Sequence, residues 1–274
     1  MIRTAHRAVA LGLAVLLLAA APLRAGGDFD RLWSALGLGD LIGVMQDEGL
    51  GQTEALAYDY LSFPPGEAWA ALSRRIYDRD RMEQAMRLSF AEALGEAPVD
   101  DLVDFFESPL GRRIVTAELE MRKEFLDPAV EEEARRRAAT ATPDTGRIGL
   151  IDDYIAVNDL IEFNVMGALN SNYHFYLGMA EGGALEMTEE DMVTHVWSQE
   201  EMTRADTSNW LRAFLLAAYD PLSDEELREY IKLSGTDEGQ RLNRALFLGF
   251  ERMYDDIYHA LGLAVADQMD TQEL

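Results

Sequence analysis

The chain has 274 residues, 48% of them hydrophobic, with 50 acidic against 24 basic residues, no cysteine and a formal charge of -26. That hydrophobic share excludes a disordered chain, and the length allows a large core in one or two domains. Without cysteine there is no disulfide framework, thiolate nucleophile, cysteine-ligated zinc or lipid-anchored N-terminal cysteine, and the charge argues against nucleic acid and anionic lipid as partners.

Arg3 and Arg7 precede an apolar run from Ala8 to Ala21, broken only by Gly12 and followed by Pro22-Leu23-Arg24-Ala25. This is the three-part pattern of a secretory signal peptide, residues 1–25, with cleavage expected after Ala25. The run is shorter than the about 20 apolar residues of a membrane span. The expected product starts at Gly26 and is a soluble periplasmic protein with no membrane span. Losing the three arginines of that segment deepens the charge from -26 to -29. Lys123 and Lys232 are the only lysines, and the acids are scattered, which fits a solubilising surface better than a cation attractor.

From Gly26 onward the apolar residues recur at helical spacing, as in Val99, Leu102, Val103 and Phe106, or Leu242, Leu246, Phe250, Met253 and Ile257. No long alternating pattern is present, so the expected fold is an all-α helical bundle. The chain also repeats itself. Asp40-Leu41-Ile42 returns as Asp159-Leu160-Ile161, and Gly49-Leu50 as Ala168-Leu169. Ile76-Tyr77 with Met82 returns as Val196-Trp197 with Met202, and Leu102, Phe105 and Phe106 as Leu227, Tyr230 and Ile231. Matches kept in order mark a tandem duplication. The expected domains are a first helical repeat at 26–137, a linker at 138–147, a second repeat at 148–262 and an acidic tail at 263–274. Glu131 to Glu133 followed by Arg135 to Arg137 reads as the solvated end of a helix, with acids one turn before bases.

The sharpest local signal is Phe105-Phe106-Glu107-Ser108-Pro109-Leu110-Gly111. A short amphipathic helix over 99–107 meets Ser108 as N-cap and Pro109 at the first helical position, where its missing N–H costs nothing. Gly111 leaves room for the preceding helix to pack close. Thr236 and Gly239 rebuild the turn in the second copy, after a helix that opens with the capping box Ser223-x-x-Glu226. This helical hairpin needs no chemistry to explain it. At these residues the chain resembles the domain-of-unknown-function 2059 family of bacterial envelope proteins, clearly over 80–130 and more loosely over 205–260. The second copy lacks the proline and adds Ser234-Gly235. The resemblance implies a helical fold and an envelope location, and carries over no catalytic residue.

No motif names a reaction. Histidines 174, 195 and 259 lie in the second copy, and Asp255 and His259 share a helix face, but a zinc or manganese site needs three or four converging ligands. There is no His-Glu-x-x-His, calcium loop, nucleophile elbow or dinucleotide loop, so no metal, cofactor or catalytic residue is assigned. One segment has pocket chemistry: Asn164, Asn170, Tyr173 and His174, whose counterpart in the first copy lacks the histidine and the asparagines. The preferred expectation is a non-enzymatic binding or interaction module that takes an unknown envelope protein or small ligand in a groove between the copies. One alternative is a small-molecule or cation binder using residues 164–176. The other is a cell-wall hydrolase working through paired carboxylates.

Overall fold

The computed structural model of the chain describes residues 24–61, 66–141 and 146–273. The expected signal peptide lies outside them except for Arg24 and Ala25, as do residues 142–145 of the expected linker. The fold is all-α. The first half contributes α1 (Arg24–Ala35), α2 (Leu38–Tyr60), α3 (Glu67–Ile76), α4 (Arg79–Leu94), α5 (Asp100–Glu107), α6 (Pro109–Glu124) and α7 (Pro128–Thr140). The second contributes α8 (Gly146–Val157), α9 (Leu160–Glu181), α10 (Glu189–Trp197), α11 (Glu200–Ala218), α12 (Asp224–Ser234) and α13 (Asp237–Glu273). No described helix is long and apolar enough to cross a membrane.

Local chemistry places the breaks. Asp78 and Asp127 accept backbone N–H bonds at the starts of α4 and α7, at 3.1 and 2.9 Å. Thr188 with Asp191, and Ser223 with Glu226, form complete capping boxes on α10 and α12. Gly37 and Asp159 turn into α2 and α9 with left-handed backbones, φ 63° and 51°. Both precede their helices directly, whereas Asp40, paired with Asp159 from sequence, lies within the first turn of α2. The lengths run in parallel, 12, 23, 10, 16 and 8 residues for α1 to α5 against 12, 22, 9, 19 and 11 for α8 to α12. They then diverge. Asp127-Pro128 breaks the first half into α6 and α7, because proline disfavours helix in the residue before it. The second half has no proline after Pro221, and α13 runs unbroken for 37 residues, about 55 Å at 1.5 Å per residue.

The α5–α6 and α12–α13 corners share one geometry. Ser108 accepts from the Gly111 N–H at 3.1 Å, and Thr236 from the Gly239 N–H at 3.0 Å. A Cβ on Gly111 would stand 2.2 Å from the Phe105 carbonyl oxygen, and one on Gly239 2.1 Å from that of Leu233. Leu233 therefore takes the corner position of Phe105. Tyr230, paired with Phe105 from sequence, lies one turn before that corner, and α12 is three residues longer than α5.

Both halves feed one core, from Leu32 and Ile42 to Ile257 and Val265. Phe105 stacks on Tyr230 with centroids 5.9 Å apart, Tyr60 meets Phe175 edge-on at 5.3 Å, and Phe125 meets Phe214 at 5.3 Å. The long α9 and α13 run in the same direction side by side, since Asn170 reaches Glu251, His174 reaches Asp255 and Gly178 reaches Gly262. They touch backbone to backbone at Gly178 and Gly262, where a Cβ on either would lie 2.2 or 2.1 Å from a carbonyl oxygen opposite. Residues 263–273, expected as a tail, continue α13, and Ala264, Val265 and Ala266 are buried. Their apolar side chains supply the last turns of that contact, which composition alone obscures.

Candidate functional site

A cleft of about 370 Å³ opens where α2, α9 and α13 meet, between the two halves. Its α2 wall presents Met45, Glu48, Gly49 and Gln52. Gly49 is there for space: a Cβ would stand 2.0 Å from the Tyr77 ring, so only glycine lets that ring lie across the helix. Gln46 holds the Tyr77 carbonyl oxygen at 2.6 Å. Tyr77 is buried, and its hydroxyl shares its surroundings with those of Tyr254 and Tyr258 and with the Glu48 carboxylate. Burial holds all three hydroxyls above the ordinary tyrosine range, with the Glu48 carboxylate adding to it and Arg122 opposing it at Tyr254, so they are protonated donors at any physiological pH.

The α13 wall carries Phe250, Tyr254 and Tyr258 at intervals of four, which sets three rings on one helix face. Beside them, Glu251 accepts a hydrogen bond from the Asn170 amide. The α9 wall adds Phe163, stacked on Phe247 with centroids 4.6 Å apart, together with Asn164 and Asn172. Arg122 of α6 enters at one end, donating to Glu48 at 2.6 Å while its guanidinium lies 5.2 Å from the centre of the Trp210 ring. Gln52, Asn172 and the hydroxyls of Tyr77, Tyr254 and Tyr258 have no hydrogen-bond partner among the described residues.

The four residues singled out from sequence do not converge. Asn164 lines the cleft, although its amide N–H donates to the Leu160 carbonyl oxygen of its own helix at 2.7 Å. Asn170 and Tyr173 border a separate hollow of about 300 Å³ against α10, where the Tyr173 hydroxyl meets Glu189 at 3.3 Å beside Trp197. His174 faces Asp255 at 3.5 Å. The reason is angular: residues 164, 170, 173 and 174 spread around α9 at 100° per residue, and that helix is flanked on several sides. His195 meets the Tyr176 hydroxyl at 3.2 Å and His259 meets Glu181 at 2.9 Å. Asp255 and His259 thus each bind a different partner on α9. Among the described residues no three His, Asp or Glu side chains converge on a point that could hold a metal ion. Burial raises Asp255 against the pull of His174, and its Oδ1 is enclosed without a partner.

A second acid is enclosed away from the cleft. Glu118 of α6 accepts from the Tyr219 hydroxyl at 2.5 Å, with Tyr154 and Tyr230 closing around it. Part of the residue reaches solvent, but its carboxyl is packed among rings, and burial pushes its pKa from 4.5 up to about 7 against the two tyrosine hydrogen bonds. Tyr230 is also the ring that Phe105 stacks on, so this acid sits directly behind the Phe105-Phe106 corner.

Sequence reading missed Glu48, Tyr77, Arg122, Glu251, Tyr254 and Tyr258. The signal was present in Phe250, Tyr254 and Tyr258 at helical spacing, but such a stripe is indistinguishable from core until its neighbours are known.

Residues 80–140 match the model of a family described as "Uncharacterized protein conserved in bacteria (DUF2059)". No curated protein and no solved structure matches the chain. The matched stretch runs from the first turn of α4 through α7 and contains Ser108, Pro109 and Gly111 at the α5–α6 corner. Over residues 80–140 the chain is thus similar to the domain-of-unknown-function 2059 family, and the matched stretch contains its Phe-Phe-x-Ser-Pro-x-Gly corner.

Proposed function

We propose that this is a non-enzymatic binding protein of the bacterial cell envelope, and that its ligand occupies the cleft between two diverged copies of one helical unit. The observation that carries the reading is the cleft itself: about 370 Å³, walled by aromatic rings, with five polar side chains that have no partner among the described residues. Pockets of this size and mixture are where proteins take small ligands. Asn164 keeps its place in the site, whereas Asn170, Tyr173 and His174 act behind it or beside it. The duplication is supported by the parallel order of helix lengths and by the two matching corners. The periplasmic address rests on the charged, apolar and small-residue segments of residues 1–25.

Native mass spectrometry of the protein recovered gently from its own envelope tests all three elements. The expected chain begins at Gly26 and carries a stoichiometric extra mass. Gly167→Trp is expected to abolish that mass, since Gly167 lines the cleft and its Cβ direction is open. An extra mass retained in this variant would refute the cleft, and a chain still carrying residues 1–25 would refute the address.

A further inference from the structure

We infer that the cleft takes a small organic cation, an ammonium group on an apolar body, an inference that rests on the cleft being the binding site. The charges at its wall are Glu48, Arg122 and Glu251. Arg122 is spent, held by Glu48 at 2.6 Å and covered by the Trp210 ring. Glu251 has only a neutral amide, that of Asn170, as its hydrogen-bond partner. The basic side chain next to it in sequence, Arg252, pairs with Asp256 at 3.5 Å. The cleft therefore holds one carboxylate without a cationic partner among the described residues, in a wall that also carries three rings.

Those rings suit an ammonium group. The faces of Tyr254, Tyr258 and Phe250 carry the negative end of the aromatic quadrupole, which attracts a cation within about 6 Å. The stacked Phe163 and Phe247 offer apolar area for the body of the ligand. An anion would meet Glu251 with no free base to receive it. A bare divalent metal would need several converging oxygens, which the described residues do not supply. The chain's net charge of -26 also raises the concentration of cations near its surface.

Three isosteric probes separate the possibilities: choline, the neutral 3,3-dimethylbutan-1-ol, and 3,3-dimethylbutanoate. Binding is read from the methyl resonances of Met45 and Met166, which line the cleft, in the purified chain at low salt. Choline is expected to shift both resonances and to bind at least roughly tenfold more tightly than the alcohol, with the carboxylate weakest. Glu251→Gln is expected to erase the preference for choline, and Tyr254→Leu to weaken choline binding while Tyr254→Phe preserves it. Circular dichroism melts confirm that each variant is folded. Equal or tighter binding of the alcohol, or a preference for choline that survives in Glu251→Gln, would overturn the cation while leaving the cleft as the site. If none of the probes moves either resonance, the cleft itself fails as a binding site and the inference falls with it.

Discussion

Replacing Glu118 by Gln isolates one titration among 50 acidic residues. Gln keeps a carbonyl oxygen for the Tyr219 hydroxyl and mimics the protonated acid. Because the folded pKa, about 7, lies above the ordinary 4.5, the folded protein holds this proton more tightly than the unfolded chain. Its stabilising effect is complete below pH 4.5, falls as the pH rises between 4.5 and 7, and is gone above 7. Two and a half pKa units at 1.36 kcal/mol each set an upper bound of about 3 kcal/mol, since part of Glu118 remains in contact with water. The wild-type protein should lose about that much stability relative to Glu118→Gln between pH 4 and pH 8. At roughly 2–4 °C per kcal/mol for a chain of this size, the two melting temperatures should separate by about 6–12 °C. Urea unfolding of both proteins, followed by circular dichroism at half-unit pH steps, measures the difference and cancels every other titrating group. Parallel stability curves from pH 4 to pH 8 would refute the enclosed, proton-holding acid.

Two further substitutions test the packing. Gly111→Ala places a methyl 2.2 Å from the Phe105 carbonyl oxygen and should cost about 1–3 kcal/mol or more, whereas Gly51→Ala, in open space on α2, should be neutral or gain up to about 1 kcal/mol. Equal thermal melts for the two variants would contradict the close corner. A double-mutant cycle on Phe105→Leu and Tyr230→Leu should give a coupling of about 0.5–1.5 kcal/mol, since their rings stack across the two halves. Additive losses would show that the halves do not lean on each other there.

The corners were legible because their causes are local. Ser108 with Pro109, Ser223 with Glu226, and Thr236 ahead of Gly239 are helix starts that act within four residues, so the chain alone declares them. The helical class was legible for the same reason, through the three-and-four spacing of residues such as Leu242, Met253 and Ile257. Register was not. Asp40 and Asp159 look alike, yet Gly37 is the residue that shares the left-handed turn of Asp159, and Leu233 rather than Tyr230 stands at its corner as Phe105 does at the other.

The site was the least legible part. Asn164, Asn170, Tyr173 and His174 are neighbours in the chain, but a helix distributes neighbours around its axis, so Asn164 faces the cleft, Asn170 and Tyr173 border the hollow against α10, and His174 faces Asp255. The cleft gathers instead from distant positions: Glu48 on α2, Tyr77 after α3, Arg122 on α6 and Tyr254 on α13. The sequence by itself determined the helices, their caps and the chain's overall charge, because these depend on contacts a few residues apart and on simple counting. Only the tertiary structure decided which carboxylate lost its water, at Glu118, and which has only a neutral amide as its hydrogen-bond partner beside three aromatic rings, at Glu251. Desolvation and charge pairing are set by what packs alongside, and in this fold the packing partners lie up to about 200 residues away.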